Sequence, residues 1–533
     1  MGLNKNIFDI SKVNFDDNGI KNFYWPIQTQ KSSLVFNYLK RELVPFVNDY
    51  KDDHLEVEAI KIFMKWFIVD ILKLLDATIL YQGIKKDADK PLIPKNYRYI
   101  DALLNCDKIE CLTFISRINR GIKIPYKIKN FLRQVKWNFG ISGFEFNFFK
   151  TKYVKSFEYN YLIKEHAIAR KLKLKSLTFS QFFIDIKQRD ITEKKNYLLK
   201  IDEIIRIIER SYHEVDCILL DKVDKYIREW LNQAVNFYQL HREQIEKSNL
   251  FLSNDKEVWL GCGGSTIYNA VVIEVLRQKK IKVVTHDHGS GNAHHDQTLV
   301  HWTEFIYSDY FVQFNPIISK IRRDSLNKKL LLGNNEPVIV DINHIRKSKK
   351  TYSNSIILNI KNEIKNISYV STAFHGEGQR MRPIIHDMTY YDWQIKLISH
   401  LKKNNFNVLY KDHPESPTKL PKKFYNNFHL KQSNKKFENI NLNTDMYIID
   451  FIFSSTTPKI LQSRIPVIFI DLGFPEIKEE ALELVKKRCY YLKAKYDNQS
   501  RLDIDWRQLD KYLNREIHNL DMSFPDLYFE NCS

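Results

Sequence analysis

Five short segments combine residue types that can do chemistry, and four of them directly follow an apolar run that reads as a strand. In Gly261-Cys262-Gly263-Gly264-Ser265-Thr266, glycines let backbone N–H groups approach a ligand. The helix start that follows favours an anion or a hydroxyl-rich sugar. No lysine follows in the Walker position and the full GxGxxG spacing is missing, so a plain tight turn is the competing reading. The second segment, His286-Asp287-His288-Gly289-Ser290-Gly291-Asn292, opens a stretch that holds five of the sixteen histidines, with His294, His295 and His301. A carboxylate at a strand end beside a flexible Gly-Ser-Gly turn suits a general base. Imidazoles at His-x-His spacing share one face of an extended strand, so metal binding competes, as does a polar loop without chemistry. No matching Asp, Glu or Cys cluster accompanies them.

The third segment is Lys411-Asp412-His413-Pro414-Glu415. Proline fixes the turn, while Lys and His can donate to a phosphate or to the sugar and base of a nucleotide. The fourth, Ser454-Ser455-Thr456-Thr457-Pro458, has the Ser/Thr-then-Pro signature of a helix start. It also offers hydroxyls and N–H groups to a phosphate. A fifth, His375-Gly376-Glu377-Gly378-Gln379-Arg380-Met381-Arg382, brings two arginines near glycines that can clamp a phosphate or carboxylate, or serve as a solvated loop.

These segments need strands and helices to hold them. Lys256–Leu260, the glycine turn, a helix over Ile267–Gln278 and a strand over Ile281–Thr285 read as a βαβ unit. Phe311–Phe314 and Val338–Asp341 supply further strands, and a polar stretch over 342–354 reads as a linker. Beyond it, Ser368–Ser371, Asn407–Tyr410, Met446–Ile449 and Pro466–Ile470 read as strands, with helices over Trp393–Lys403 and from Thr457. The predicted fold is α/β, with two facing Rossmann-type domains and a large helical N-terminal region. Its divisions are 1–250, mainly helical; 251–345, an acceptor-side domain; 346–475, a nucleotide-binding domain; and 476–533, helices bracing the two. Within the first, 57–80, 155–175 and 221–248 carry helical periodicity. The aromatic run 137–149 reads as a buried hairpin or a groove lining.

The chain has 533 residues with 44% apolar and 28% charged side chains, which excludes disordered and fibrous classes. Its net charge of +19 favours anionic partners. Six scattered cysteines without a CxxC pair argue against a disulfide or zinc scaffold and fit a reducing compartment. The start, MGLNKNIFDI, lacks an apolar core for a secretory signal, and charges interrupt the richest apolar stretch. The expected location is the cytoplasm, with contact to the inner face of an anionic membrane as the peripheral option.

In order, Asp287-His288-Gly289, His413-Pro414 and Ser454-Ser455 resemble the motifs of bacterial sialyltransferases and related GT-B surface-polysaccharide glycosyltransferases, Kdo transferases included. The second acidic position of their first motif is His288 here, and the resemblance spans about residues 285–457. It implies that Asp287 deprotonates the acceptor hydroxyl, with His288 as the other candidate base. It further implies that His413, Ser454 and Ser455 hold the nucleotide phosphate. Gly263, Gly264, Ser265, Gly289, Ser290, Gly376, Arg380, Arg382, Lys411, Pro414 and Thr456 complete the expected substrate-binding set.

The expected function is metal-independent transfer of a sugar, such as a CMP-activated acidic sugar of the sialic-acid or Kdo type. The donor is a nucleotide sugar, no other cofactor is needed, and the acceptor is a surface-polysaccharide or lipid-linked glycan in capsule or lipopolysaccharide synthesis. Helix-start N–H groups and basic side chains then stabilise the departing nucleoside phosphate. One alternative is a CDP-glycerol-type polyol-phosphate transferase, which shares His-Gly and His-Pro elements. The other is a non-catalytic anion- or nucleic-acid-binding protein, against which stands the lack of a recognisable aromatic-plus-basic platform or helix-turn-helix.

Overall fold

The computed structural model describes residues 29–49, 55–87, 99, 153–157, 161–177, 201–211, 217–247, 255–261, 266–287, 304–313, 316–326, 331, 336–342, 356–359, 364–374, 385–413, 416, 420, 422–433, 443–454, 456–473, 476–498, 500–514 and 517–529. The aromatic run 137–149 lies outside them.

The first unit begins with helices α1 (Thr29–Asp49) and α2 (Leu55–Asp87). Strand β1 (Tyr153–Ser156), helix α3 (Tyr161–Ala169) and strand β2 (Lys173–Ser176) follow, then helices α4 (Ile201–Ser211) and α5 (Cys217–Lys247). Next come β3 (Glu257–Gly261), α6 (Ile267–Gln278), β4 (Lys282–His286), β5 (Tyr310–Gln313), α7 (Pro316–Asp324) and β6 (Val338–Asp341). The six strands form one parallel sheet in the order β2-β1-β3-β4-β5-β6. Residues before 250 therefore contribute two strands to the sheet that the 251–345 segment shares, and the helical stretch expected over 155–175 is a strand-helix-strand unit.

Alternation within the strands sends side chains to two cores. On one face Val258, Leu260, Val283 and Phe311 join a cluster with α2, α5 and α6, including Phe67, Trp230 and Val271. On the other, Trp259, Val284 and Val312 pack on Leu162, Ile163 and Ala167 of α3. Helix α2 is buried on nearly every side, and its two fully buried charges, Lys65 and Asp70, are partnered. Asp70 accepts from Tyr99 Oη at 2.7 Å and Trp230 Nε1 at 2.9 Å, and Lys65 lies over the Trp66 and Tyr307 rings. Among the described residues no helix is long and apolar enough to cross a membrane.

The second unit opens with β7 (Ile356–Asn359), β8 (Asn366–Val370), α8 (Asp387–Lys403), β9 (Asn407–Lys411), α9 (Lys422–Asn427) and β10 (Lys431–Ser433). It continues through β11 (Met446–Ile449), α10 (Thr457–Gln462), β12 (Val467–Asp471), α11 (Glu479–Arg488) and β13 (Tyr490–Lys493). Its sheet is also parallel and six-stranded, in the order β10-β9-β8-β11-β12-β13. The chain ends with a hairpin of β14 (Lys495–Tyr496) and β15 (Leu502–Asp503), helix α12 (Trp506–Leu513), β16 (Ile517–Leu520) paired antiparallel to β7, and helix α13 (Ser523–Phe529). Residues 476–533, expected to be bracing helices, thus include the last strand of the second sheet. Helices α8 and α12 cover one face with Trp393, Leu397, Leu509 and Leu513. On the other face Phe524 and Phe529 of α13 cluster with Ile460, Val485 and Phe469, and Ile318 of α7 belongs to the same cluster.

Arg488, fully buried at the end of α11, holds the exit of α10. Its Nε donates to Leu461 O at 2.8 Å and its Nη2 to Ser463 O at 2.8 Å and Ile465 O at 3.2 Å. Replacing it by Ala leaves three carbonyls, that of Leu461 fully buried, without this donor. Arg488→Ala is expected to cost about 2–4 kcal/mol, read as a lower thermal midpoint; an unchanged midpoint would show that the loop finds other donors.

Candidate functional site at the strand ends

In an open parallel sheet, connections leaving the first strand in opposite directions part above it, and ligands bind in the crevice outside the carboxyl ends at that point. Strand order places this reversal between β1 and β3 in the first sheet and between β8 and β11 in the second.

At the second reversal three turns meet. The turn after β8 is tied to the one after β9. Ser371 Oγ donates to Lys411 O at 3.1 Å. Ser416 Oγ accepts from Phe374 N at 2.7 Å and donates to Phe374 O at 3.0 Å. His413 stands half-buried in that frame, its carbonyl accepting from Ser416 N at 3.2 Å. Lys411, expected to reach a phosphate, is instead tucked in, its Nζ donating to Asp412 O at 2.6 Å. The Asp412 carboxylate in turn takes the Tyr425 hydroxyl at 2.7 Å.

Beyond β11, Ser454 and Thr456 are half-buried and their hydroxyls lie 2.8 Å apart. Thr456 is the N-cap of α10, with Pro458 in the first turn as the sequence predicts, but it makes no side-chain cap bond. Ser454 Oγ accepts from Thr456 N at 3.3 Å, so the hydroxyl pair organises the turn itself.

Beneath these turns lies Asp450, the residue after β11, 3% exposed. It accepts hydrogen bonds from the Tyr369 hydroxyl, from Tyr390 Oη at 3.0 Å and from Trp393 Nε1 at 3.2 Å. Burial pushes its carboxyl up to about 6, with the three donors opposing. Tyr390 Oη also accepts from Thr372 N at 2.8 Å, so the chain of bonds runs from β11 through α8 to the turn after β8.

At the first sheet Gly261 ends β3 at φ 66°, a conformation that glycine takes without a Cβ clash. Helix α6 then starts from Thr266, whose hydroxyl accepts from Asn269 N at 3.2 Å. His286 ends β4 on the face opposite Asp287. Its Nε2 lies 3.1 Å from Nδ1 of His166, which stacks on Trp259 at 4.3 Å between centroids. Burial lowers His166 to about 4, aided by Arg170, and lowers His286 well below the usual range through burial and then His166. Both imidazoles are therefore neutral near pH 7. Among the described residues no three His, Cys, Asp or Glu side chains gather as metal ligands.

Asp287, expected to be the base, is 1% exposed and bonded through Oδ2 to Arg322 Nη2 at 3.0 Å. The fully buried Arg322 guanidinium lies over the Phe311 ring at 5.2 Å. In this structure the carboxylate expected to act as base is sealed from solvent, and its pairing with Arg322 ties α7 to the end of β4. Gly263, Gly264, Ser265, His288, Gly289, Ser290, Gly376, Arg380, Arg382, Pro414 and Ser455 lie outside the described residues. The structure adds Asp450 and Arg322 to the picture. Asp450 follows the rule that singled out Asp287, a carboxylate directly after an apolar strand. Arg322 lies in an ordinary amphipathic helix and carries no such signal.

Removing one member of a buried ion pair leaves the other uncompensated. Asp287→Ala is expected to destabilise by about 3–5 kcal/mol, and Asp287→Ala with Arg322→Met to recover most of that in thermal unfolding; an Asp287→Ala loss below about 1 kcal/mol would contradict the anchor role. Comparisons with protein-family models, curated proteins and solved structures return no match to this chain.

Proposed function

We propose that the chain is a nucleotide-sugar-dependent glycosyltransferase with GT-B architecture, the second sheet taking the donor nucleotide and the first the acceptor. The observation that carries this reading is the second sheet itself. Its β10-β9-β8-β11-β12-β13 order reverses between β8 and β11. The turns flanking that reversal present His413, Ser454 and Thr456, hydrogen-bond donors at the edge where an α/β sheet binds nucleotides. The net charge of +19 suits an anionic donor and, for a lipid-linked acceptor, an anionic membrane surface.

Departure of a nucleoside phosphate requires that its growing negative charge be met by fixed donors. His413 and the Ser454–Thr456 hydroxyls are the groups for that role. The incoming hydroxyl must also lose a proton. With Asp287 bonded to Arg322, the base in this reading is His288, adjacent in sequence to the anchored strand end. A CMP-activated acidic sugar is the donor the motifs favour, and no step in the scheme calls on a metal.

A ligand bound only by the folded state stabilises it by about 2.7 kcal/mol at a hundredfold excess over Kd. Thermal unfolding with CMP, CDP, UDP and GDP is expected to show a rise of several degrees with a cytidine nucleotide, unchanged by EDTA. No rise with any nucleotide, or one that requires zinc or manganese, would overturn the proposal. With activity in hand, His288→Ala is expected to abolish transfer.

A further inference from the structure

Asp450 has no part in the scheme above, yet its surroundings are built around it. It follows β11 at the reversal of the second sheet, 3% exposed, and its two oxygens take three hydrogen bonds from three aromatic side chains. The donors come from two different elements. Tyr369 sits on β8, the neighbouring strand across the reversal, and Tyr390 and Trp393 lie one turn apart on α8. All three are themselves fully or nearly fully buried, so none has a water alternative.

What these bonds reach matters more than their number. Tyr390 Oη, held by Asp450 Oδ1, accepts the backbone N–H of Thr372 in the turn after β8. That turn is in turn bonded to the Lys411 and Phe374–Ser416 frame around His413. On its other side Asp450 leads within four residues to Ser454. One carboxylate therefore ties together the two turns that part above the crevice. A hydrophobic residue at this position would serve the core; a buried carboxylate costs free energy and is tolerated only with its hydrogen bonds complete.

We propose that Asp450 is a positioning residue for nucleotide binding: through Tyr390 and the Thr372 N–H it sets the turn after β8 against the turn at Ser454, so that both meet a nucleoside phosphate at fixed spacing. This rests on the reading of the second sheet as the donor-nucleotide site.

The charged groups facing Asp450 limit what its titration reports. From β8 it meets Tyr369 and from α8 Tyr390 and Trp393, while Tyr410 on β9 lies one remove away and is itself raised by Tyr390. All three tyrosines are pushed far above their ordinary value, chiefly by burial, and stay neutral. Asp450 is thus the group of this cluster that changes charge near pH 6. Its folded value lies above that of an unfolded aspartate, so the native chain holds the proton more tightly, and the charged form that grips all three donors is present only above about 6.

The test uses the full chain, with CDP as the probe and calorimetry for Kd, at pH values from 5 to 8. Tyr390→Phe keeps the ring and removes the hydroxyl that joins Asp450 to the Thr372 N–H; Asp450→Asn keeps the shape and removes the titration. Both variants are expected to bind CDP at least tenfold more weakly at pH 7.5, with melting temperatures within a few degrees of the parent. The parent's affinity is expected to fall toward pH 5 more steeply than that of Asp450→Asn, the phosphate's own titration being common to both. Equal CDP affinity in the parent and Tyr390→Phe, or parallel pH profiles in the parent and Asp450→Asn, would overturn the positioning role alone. Failure of the parent to bind CDP, CMP, UDP or GDP would overturn it together with the donor-site reading. If Asp450→Asn does not fold, the Tyr390→Phe comparison decides.

Discussion

A parallel strand cannot hand over to its neighbour by a tight hairpin; the chain must climb back along a helix to start the next strand in the same direction. In both sheets of this protein the chain does so first to one side of the opening strand and then to the other. Everything of functional interest follows from that change of side. The loops leaving β1 and β3, and those leaving β8 and β11, must diverge because their helices lie on opposite faces. Divergence exposes the carboxyl ends of the strands, so the residues that follow those ends are placed to face a ligand there.

Burial then separates polar groups that can act from polar groups that hold. Asp287, Lys411 and Asp450 all stand at strand ends, and all are almost fully buried. The first is paired with Arg322, the second donates to a backbone carbonyl, and the third accepts from three aromatic donors. His413, Ser454 and Thr456, two to six residues further along the same loops, keep partial exposure. A layered edge results, with hydrogen-bonded buried charges underneath and half-exposed donors above them. Helix α7 belongs to both units, with Arg322 directed at Asp287 and Ile318 placed among the apolar residues of the second sheet's outer face. The ion pair therefore fixes more than one strand end.

The sequence makes the central strand Met446–Ile449 plain because it is buried on both faces and reads as an unbroken apolar run; it emerges with its observed bounds, as do the edge strand Val338–Asp341 and the helix Ile267–Gln278. Strands β1 and β2 were hidden by their lysines, at 155, 173 and 175. Lys173 and Lys175 belong to the edge strand β2, which needs no second apolar face, and Lys155, on β1 beside it, pairs with Asp255. Strand β13 was missed in the same way, since Tyr490 and Tyr491 at the far edge are only half-buried. For the site, spacing identified strand ends but could not tell a solvent-facing carboxylate from a sealed one. That distinction rests on Arg322, thirty-five residues from Asp287 in the chain, and on α8 for Asp450.

The central claim is that a nucleoside phosphate is held where the second sheet changes direction. Hydrogen–deuterium exchange of the full chain with and without saturating CMP tests this most directly. The account predicts slowed exchange in three stretches together, 371–374, 411–416 and 450–457. Slowing confined to other parts of the chain, or no change anywhere at a concentration that should saturate, would contradict it.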